Sequence, residues 1–578
     1  MLARSLPRGK NVTRQQSSCT NRIESRQLGS HQSHERAPTG LPIRTVERAN
    51  MAALAPTVGP FARPTHSPRS RQRVASRRVA RPLQSRVVPR GAATPGWLTE
   101  SGSSADLPGD AVSKDAPLRV LVAGGGLGGL FAAICLRNAG ADVAVIERTA
   151  TYRPFGGPIQ LASNGVSTIK ATSESLFRRV TDVSRPFWRT TSGIRDGLKG
   201  NWMFTFGAIT ELPDEGNLPF SICVDRSDLQ EVLLEEINQD SSGIVSMGSA
   251  IAKYENRNDG KGVDVTLEDG RVVTADVLVG ADGIWSKVRA QMFGEPGGVK
   301  GAGSTASFTG YKLYSGLPLF KPYYFEDVGY SAFIGPDHYF VTCPDRAGRV
   351  QWYGFIKATS PNTPDEENPA EFLQKTLAGW APEVLELIGA TDPATIEARD
   401  LWDRYPSVAK SWADGNVTLL GDSCHATMPN IGQGAGLAFE DGYELAKVLE
   451  EVRNRSDVPA ALESFYKKRI LRTAAVQGLG RMNSEAIKIL TPLLPIRPLV
   501  EYFIGPFLPL VFRAQFGYCY SFCPEKMDAG EARALADDMR LRHKKESEAA
   551  WADAEKQGVA LTGVENKHEN PALEVIAN

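Results

Sequence analysis

The sequence predicts an α/β fold: a Rossmann-like dinucleotide-binding domain with an inserted antiparallel-sheet substrate domain and C-terminal helices. Three observations predict it. The stretch "LRVLVAGGGLGGLFAAICLRNAGADVAVIE" (118–147) reads as strand, glycine-rich turn, helix and second strand, a β-α-β unit of about thirty residues. Residues 303–356 change to strands of period-two character punctuated by turns. Residues 417–451, "VTLLGDSCHATMPNIGQGAGLAFEDGYELAKVLEE", return to a strand, a proline-containing loop and a long helix with a glycine-rich start.

At 578 residues the chain can bury a large core and allows two to four domains or one composite fold. Lys+Arg and Asp+Glu are equal at 66 each, so no global charge points to nucleic acid. The imbalance is local. Residues 51–99 carry nine Arg and no Asp or Glu among many Ser, Ala and Pro, the composition of an organellar transit peptide, and their weak amphipathicity and prolines favour a plastid. The alternative is a basic arm for an acidic partner. Glu24, Glu35 and Glu47 set residues 1–50 apart, which leaves Met1 and Met51 both open as the start. The expected organisation is a disordered leader over 1–117, a nucleotide-binding domain in two parts (118–300 and 401–455), an antiparallel-sheet substrate domain (301–400), a helical and apolar segment (456–523) and a charged tail (524–578). The tail's Glu, Asp, Lys and Ala suit a solvated helix or disorder.

Gly124, Gly126 and Gly129 satisfy G-x-G-x-x-G. The first permits a tight turn, the second lets a diphosphate touch the backbone, and the third lets helix and strand pack closely. The helix start offers free N–H groups and a positive dipole end to that diphosphate. Glu147 closes the second strand, where a carboxylate can accept hydrogen bonds from a ribose diol. The glycines alone do not separate NAD from FAD. The later stretch does: a carboxylate at Asp422, after Gly421 at a strand end, can bind a ribityl hydroxyl, and the helix start after Gly432, Gln433 and Gly434 can bind a flavin pyrimidine edge.

With these residues in place, the chain resembles the group A flavoprotein monooxygenases, the para-hydroxybenzoate hydroxylase-like family, whose FAD-binding domain is of the glutathione reductase type. "GADGIWSKVR" (280–289) is similar to the family's Asp-Gly motif through Asp282, Gly283, Ser286 and Arg289, and "VDRSDLQEVLLE" supplies Arg226 and Leu229 in an R-x-x-L setting. The resemblance implies FAD contacts at Gly124, Gly126, Gly128, Gly129, Glu147, Arg148, Gln160, Arg226, Asp282, Gly421, Asp422, Pro429, Gly432, Gln433 and Gly434. Within the family, "GGPIQLASNG" (156–165), "TGYKLYSG" (309–316), "LWDRYP" (401–406) and "GDSCHATMPNIGQGAGLAFED" resemble the branch that epoxidises xanthophyll rings.

That branch implies a plastid enzyme, on the stromal side or against a thylakoid or envelope membrane. It would use FAD, O2 and electrons from NADPH or reduced ferredoxin, with a reductase or ferredoxin as partner. A C4a-hydroperoxyflavin would place one oxygen across a ring double bond of zeaxanthin, giving antheraxanthin and violaxanthin. Three alternatives stay open: hydroxylation of an aromatic or quinone ring, a non-redox flavoprotein carotenoid cyclase or isomerase, and a flavin-bound binding or carrier protein with no turnover. Two features depart from the branch. Gly156 stands where it has an Arg, with Arg153 as the nearest substitute, and the 524–578 tail is too short for the forkhead-associated domain of plant members.

Epoxidation of an isolated alkene needs no side-chain base, so no catalytic acid or base is expected. His425, inside the flavin loop, reads as a packing or hydrogen-bonding residue, and Cys424 as a small buried one. The seven cysteines show no C-x-x-C and no histidine at metal-ligand spacing, and no metal is expected. Residues 489–512 are apolar, but Arg497, Glu501 and five prolines argue against a spanning helix and leave packing or membrane-surface contact. Nine aromatics, Phe308, Tyr311, Tyr314, Phe333, Tyr339, Phe340, Trp352, Tyr353 and Phe355, punctuate the inserted strands; half would build a core and some could line an apolar tunnel.

Overall fold

Arg119–Ala123 is apolar at every position after the first, which suits a strand covered on both faces, and in the computed structural model it is an inner strand of a six-stranded sheet. The structure describes residues 95–99, 109–152, 156–238, 243–296, 304–318, 328–345, 349–363, 366–490, 503 and 505–556. The strand order is Ala413–Asp414, Val417–Leu419, Val277–Gly280, Arg119–Ala123, Asp142–Glu147, Val245–Met247, parallel throughout except for the first, hairpin-like pair. Helix Leu127–Asn138 lies against helix Gly434–Glu450, with Phe131 stacked on Phe439 at 4.3 Å between ring centroids. Gly442 permits that approach, since a Cβ there would stand 2.9 Å from Ala132 Cα. Two segments three hundred residues apart thus share one core, in which each large buried side chain contributes about 1.5–3 kcal/mol before chain entropy is counted.

The inserted sheet has seven strands in the order Glu397–Arg404, Ala306–Gly316, Val350–Lys357, Tyr339–Pro344, Val328–Ile334, Thr191–Asp196, Trp202–Thr205. It draws strands from both sides of the 301–400 segment. Side chains alternate across it. Tyr314, Phe333, Phe340 and Trp352 face helices Pro369–Thr376 and Pro382–Gly389 and pack with Leu373, Val384 and Leu387. Tyr311, Leu313, Tyr339, Val341 and Phe355 form a cluster of their own, with Tyr330 and Tyr353 at its border. A three-stranded sheet, Pro158–Leu161, Ile222–Asp225 and Ser184–Pro186, stands beside it, and a second one comprises Ile251–Asn256, Val263–Leu267 and Val272–Ala275.

Both ends of the chain depart from expectation where they are described. Trp97 and Leu98 are buried, and Trp97 Nε1 donates to Asp142 Oδ2 at 2.8 Å. Residues 109–117 are held by the buried Arg455, which donates to the carbonyls of Gly109, Ala111, Ala116 and Pro117 while paired with Asp276 at 2.9 Å. The leader expected over 1–117 therefore joins the fold at these two segments; its other residues lie outside the described ones. Helix Ala529–Lys556 is also not a free solvated helix, because Ala532, Ala536 and Met539 enter the main core. Its composition hides this: small apolar residues spaced along a charged helix make a narrow buried stripe. Most of the apolar stretch 489–512, and Arg153, lie outside the described residues.

Candidate functional site

Four turns meet at the C-terminal ends of the parallel strands, the edge where open α/β sheets bind ligands. Gly124 follows the first strand with φ +119°, and a Cβ on it would lie 2.3 Å from Ala281 O. Only glycine fits there. Gly129 is tighter still, its Cβ position 2.0 Å from Gly124 O, whereas a Cβ at Gly126 meets nothing within 4 Å. The turn is therefore packed at its first and third glycines and open at its second, at the start of helix Leu127–Asn138. Gly128 faces the other motif, its Cβ position 3.0 Å from Ala438 Cβ.

Glu147 ends the second strand, and both its oxygens accept from backbone: Oε2 from Gly125 N at 2.8 Å and Oε1 from Thr149 N at 2.8 Å. Tyr152 and Gln230, which the sequence did not single out, both donate to Gly125 O, at 2.9 and 3.3 Å. Arg148 is exposed and within electrostatic reach of Glu268. Asp282 follows the third strand beside Gly124. Its Oδ2 accepts from Lys287 N at 2.7 Å, and its Oδ1 is sealed from solvent without a well-formed hydrogen bond, the Ser286 hydroxyl standing near the carboxylate. Burial raises the Asp282 carboxyl above its ordinary value, against the hydrogen bonds from Ser286, Lys287 and Val288.

The fourth turn is Gly421-Asp422. Gly421 has φ +64°, and Asp422 exposes its side chain to the cleft while protein surrounds it. Desolvation there raises its carboxyl, although His425, Arg226 and Arg404 pull the other way. Arg226 opens helix Arg226–Ile237; desolvation and Arg399 lower its guanidinium, with Asp422 as the opposing charge. Gly156 stands against Arg226, its Cβ position 3.5 Å from Arg226 Cδ. Gly432, at φ +62°, leaves 3.0 Å between its Cβ position and Gln160 Oε1, so the strand Pro158–Leu161 meets the loop that opens with exposed Pro429. Gln433 is buried and its Oε1 accepts from Asn164 at 2.9 Å, and Gly434 begins helix Gly434–Glu450.

Beneath this turn lies a buried ion network that sequence reading missed. Asp441 Oδ2 accepts from Gly421 N at 3.0 Å and lies 2.5 Å from His425 Nε2, while Oδ1 accepts from Arg469 Nε at 2.8 Å. Burial works against the imidazolium, but Cys424 and Asp441 outweigh it and hold His425 well above its ordinary value. Burial would raise Asp441; His425 and Arg469 bring it down to about 2. One ligand atom from each of Cys424, His425 and Asp441 falls within 4.8 Å of the others, yet the Asp441 carboxylate is already taken by an amide, an imidazole and a guanidinium. The signal for this network was the "ED" at 440–441, whose partners at 469 and 472 carry no motif.

The seven-stranded sheet closes over the same place. Tyr353 Oη donates to Pro158 O at 2.7 Å, and Tyr339 Oη donates to Asn430 Oδ1 at 3.1 Å. Gly157 is squeezed into that seam, its Cβ position 2.5 Å from Tyr353 Oη. The Tyr311, Tyr339 and Phe355 face is thereby turned toward the strand that carries Gln160 and the loop that carries Gly432.

Comparisons agree with this geometry. A family profile described as an FAD binding domain matches residues 190–478, and a second FAD binding domain profile matches 119–203. Among curated proteins, the chain is 38% identical over 375 residues to the zeaxanthin epoxidase of Oryza sativa and 36% identical over 400 residues to that of Solanum lycopersicum, both chloroplastic, covering 63% and 67% of this chain. It spans 54% and 57% of those relatives. Among solved structures, Klebsiella pneumoniae HpxO complexed with FAD and uric acid is similar over 70% of this chain and 96% of that one, with TM-score 0.56 and 25% identity. A salicylate hydroxylase substrate complex shares the fold at TM-score 0.56 and 22% identity over 73% of this chain and 98% of that one. The first profile accounts for half of the sequence and takes in Asp282, Gly421 and the helix behind them, and the chain belongs to the FAD-binding domain family.

Proposed function

We propose that this protein is an FAD-dependent monooxygenase that epoxidises the β-rings of xanthophylls, taking zeaxanthin to antheraxanthin and violaxanthin. The observation that carries the reading is the 36–38% identity to relatives named zeaxanthin epoxidase over 375–400 residues. The residues present fit FAD. The open face at Gly126 and the helix start beside it suit the diphosphate, and the Asp282 oxygen without a well-formed bond suits a hydroxyl donor. Asp422, exposed to the cleft, suits the ribityl chain, and the N–H groups at Gly432–Gly434 suit the pyrimidine edge. Glu147 would orient the turn through Gly125 N, and release of that bond would free it for the ribose. Arg148, Gln160, Arg226 and Pro429 complete the set, with Arg226 and Gln160 on the flavin side.

Bound FAD, once reduced, supplies an electrophilic oxygen atom derived from O2. The protein's own task is to hold the polyene end against the flavin and keep water out. Tyr311, Tyr339 and Phe355 would form the apolar wall, and the bonds of Tyr353 to Pro158 and Tyr339 to Asn430 would set the distance between that wall and the flavin loops. His425 is buried and bonded to Asp441, so it has no part in proton delivery in this reading. Electrons would come from NADPH or reduced ferredoxin through a reductase. The plastid, on the stromal side, is the proposed location, with peripheral membrane contact through the exposed Phe503, Phe507, Leu510 and Val511. No described helix is long and apolar enough to cross a membrane.

The test is pigment analysis after expression in cells that accumulate zeaxanthin, with labelled O2 supplied. One labelled oxygen per new epoxide is expected; unchanged zeaxanthin in cells holding flavin-loaded protein, or unlabelled product, would overturn the reading.

A further inference from the structure

Glu440 and Asp441 are adjacent, fully buried acids, and each reaches a different flavin-side segment. Asp441 holds the Gly421 amide N–H at 3.0 Å, on the Leu420–Gly421 peptide one residue before Asp422. Glu440 Oε1 accepts from Asn164 Nδ2 at 2.6 Å, and the same amide group donates to Gln433 Oε1 at 2.9 Å, just before the helix start at Gly434. Both acids are bridged by one cation from helix Val458–Leu490: Arg469 donates to Asp441 Oδ1 through Nε and to Glu440 Oε2 through Nη2, each at 2.8 Å. Arg472 adds a two-pronged pair to Glu440 and donates to the carbonyls of Tyr518 and Cys519. A buried acid pair of this cost persists only with its cations in place.

We propose that Asp441, locked by Arg469 and His425, is a positioning residue that fixes the Gly421 peptide and so aims the Asp422 carboxylate at the flavin half of FAD. Gly421 sits at φ +64° and ψ −136°, and a glycine rotates easily about both bonds unless the peptides on either side of it are held. Its carbonyl, on the peptide shared with Asp422, accepts from the N–H groups of Cys424 and His425 at 3.0 and 2.9 Å. The Asp441 contact holds the peptide on the other side, so the two together fix φ and ψ at Gly421. This rests on the reading of the Gly421-Asp422 turn as a flavin contact.

The experiment is FAD titration of apoprotein by flavin fluorescence for wild type, D441N, D422N and the double variant, with midpoint potentials measured at saturating FAD. In D441N a single oxygen is left to accept, so Arg469 and the Gly421 N–H cannot both be served, and FAD affinity is expected to fall about ten- to a hundredfold, with a shifted potential. Because Asp441 acts through Asp422, D441N should cost less than about threefold more in the D422N background. Equal losses in both backgrounds with an unshifted potential would mark a merely structural residue and overturn the proposal. D422N with wild-type affinity would overturn the reading of the turn and the proposal with it; a loss in D422N but none in D441N would overturn the proposal alone. Should D441N not fold, H425Q, which leaves Arg469 paired, decides instead. It should lose about three- to tenfold in affinity, and a shifted potential supports the proposal while an unshifted one overturns it.

Discussion

Gly129 and Gly124 touch so closely that a Cβ on the first would lie 2.0 Å from the carbonyl oxygen of the second. Two residues away, Gly126 faces open space at φ −72°, which any residue adopts. The same motif thus contains a glycine that the protein's own backbone requires and one that it does not.

Gly129→Ala and Gly126→Ala should therefore separate folding from binding. In Gly129→Ala the helix must retreat from the strand, at a cost of about 1–3 kcal/mol, and the unfolding temperature of the apoprotein should fall. In Gly126→Ala the apoprotein should stay within about 0.5 kcal/mol of wild type, while FAD affinity drops as the methyl enters the diphosphate's place. Thermal unfolding with and without FAD checks both, and a Gly126→Ala protein that binds FAD normally would remove the cradle reading.

Tyr353→Phe removes the 2.7 Å bond that ties the seven-stranded sheet to Pro158 while keeping the ring. The carbonyl of buried Pro158 loses its donor, worth about 1 kcal/mol. The seam beside Gly157 loosens, so kcat/KM should fall about two- to tenfold and more reduced flavin should be spent on peroxide release. Unchanged coupling between NADPH or ferredoxin oxidation and epoxide formation would show that this contact does not set the geometry.

These contrasts mark what was legible in the sequence. Gly124 and Gly129 were readable because backbone sterics demand glycine there, Gly126 from its place in the spacing, and Asp282 and Asp422 because each stands within three residues of the end of a buried strand. Glu147 was readable as a position but not as a bond, since its acceptance of Gly125 N depends on a turn that only three-dimensional closure defines. Tyr152, Gln230, Arg469 and Arg472 were not readable: lone polar residues on a helix or in a loop look like solvated surface until the partner segment is placed. The same holds for Ala532, Ala536 and Met539, whose burial the charged sequence around them disguises.

The His425 and Asp441 pair gives stability a defined pH window. His425 is raised in the folded protein, so its contribution is complete below its ordinary value of 6.5 and is lost as pH rises through the folded value. Asp441 is depressed to about 2, so its contribution is present above its ordinary 3.8 and is lost as pH falls toward 2. The gap in unfolding free energy between wild type and H425Q should be greatest between about pH 4 and 6.5, at about 3 kcal/mol, and shrink on both sides. Urea unfolding at pH 5, 7 and 9 measures it. A gap that widens toward pH 9 would mean that the imidazole is neutral in the folded protein.

Arg455 offers the opposite case, a residue that should matter for stability and not for cofactor. It pairs with Asp276, whose other oxygen accepts from Arg119 N at 2.7 Å, and both acid and amide lie where the strands Val277–Gly280 and Arg119–Ala123 begin. That is the far end of the sheet from Gly124 and Asp282. Desolvation raises the Asp276 carboxyl even with Arg455 and the Arg119 amide drawing it down, so removing the guanidinium leaves a buried charge and four carbonyls without their donor. Arg455→Met should cost about 3–5 kcal/mol, roughly 10 °C in unfolding temperature, and residues 109–117 should become sensitive to protease. Pairing it with Asp276→Asn should recover part of the loss, because the orphaned charge is then gone. FAD affinity of the folded fraction should stay within about twofold of wild type. A larger change in affinity would mean that the strand starts and the cofactor turns move together, and that the sheet between them does not act as a rigid support.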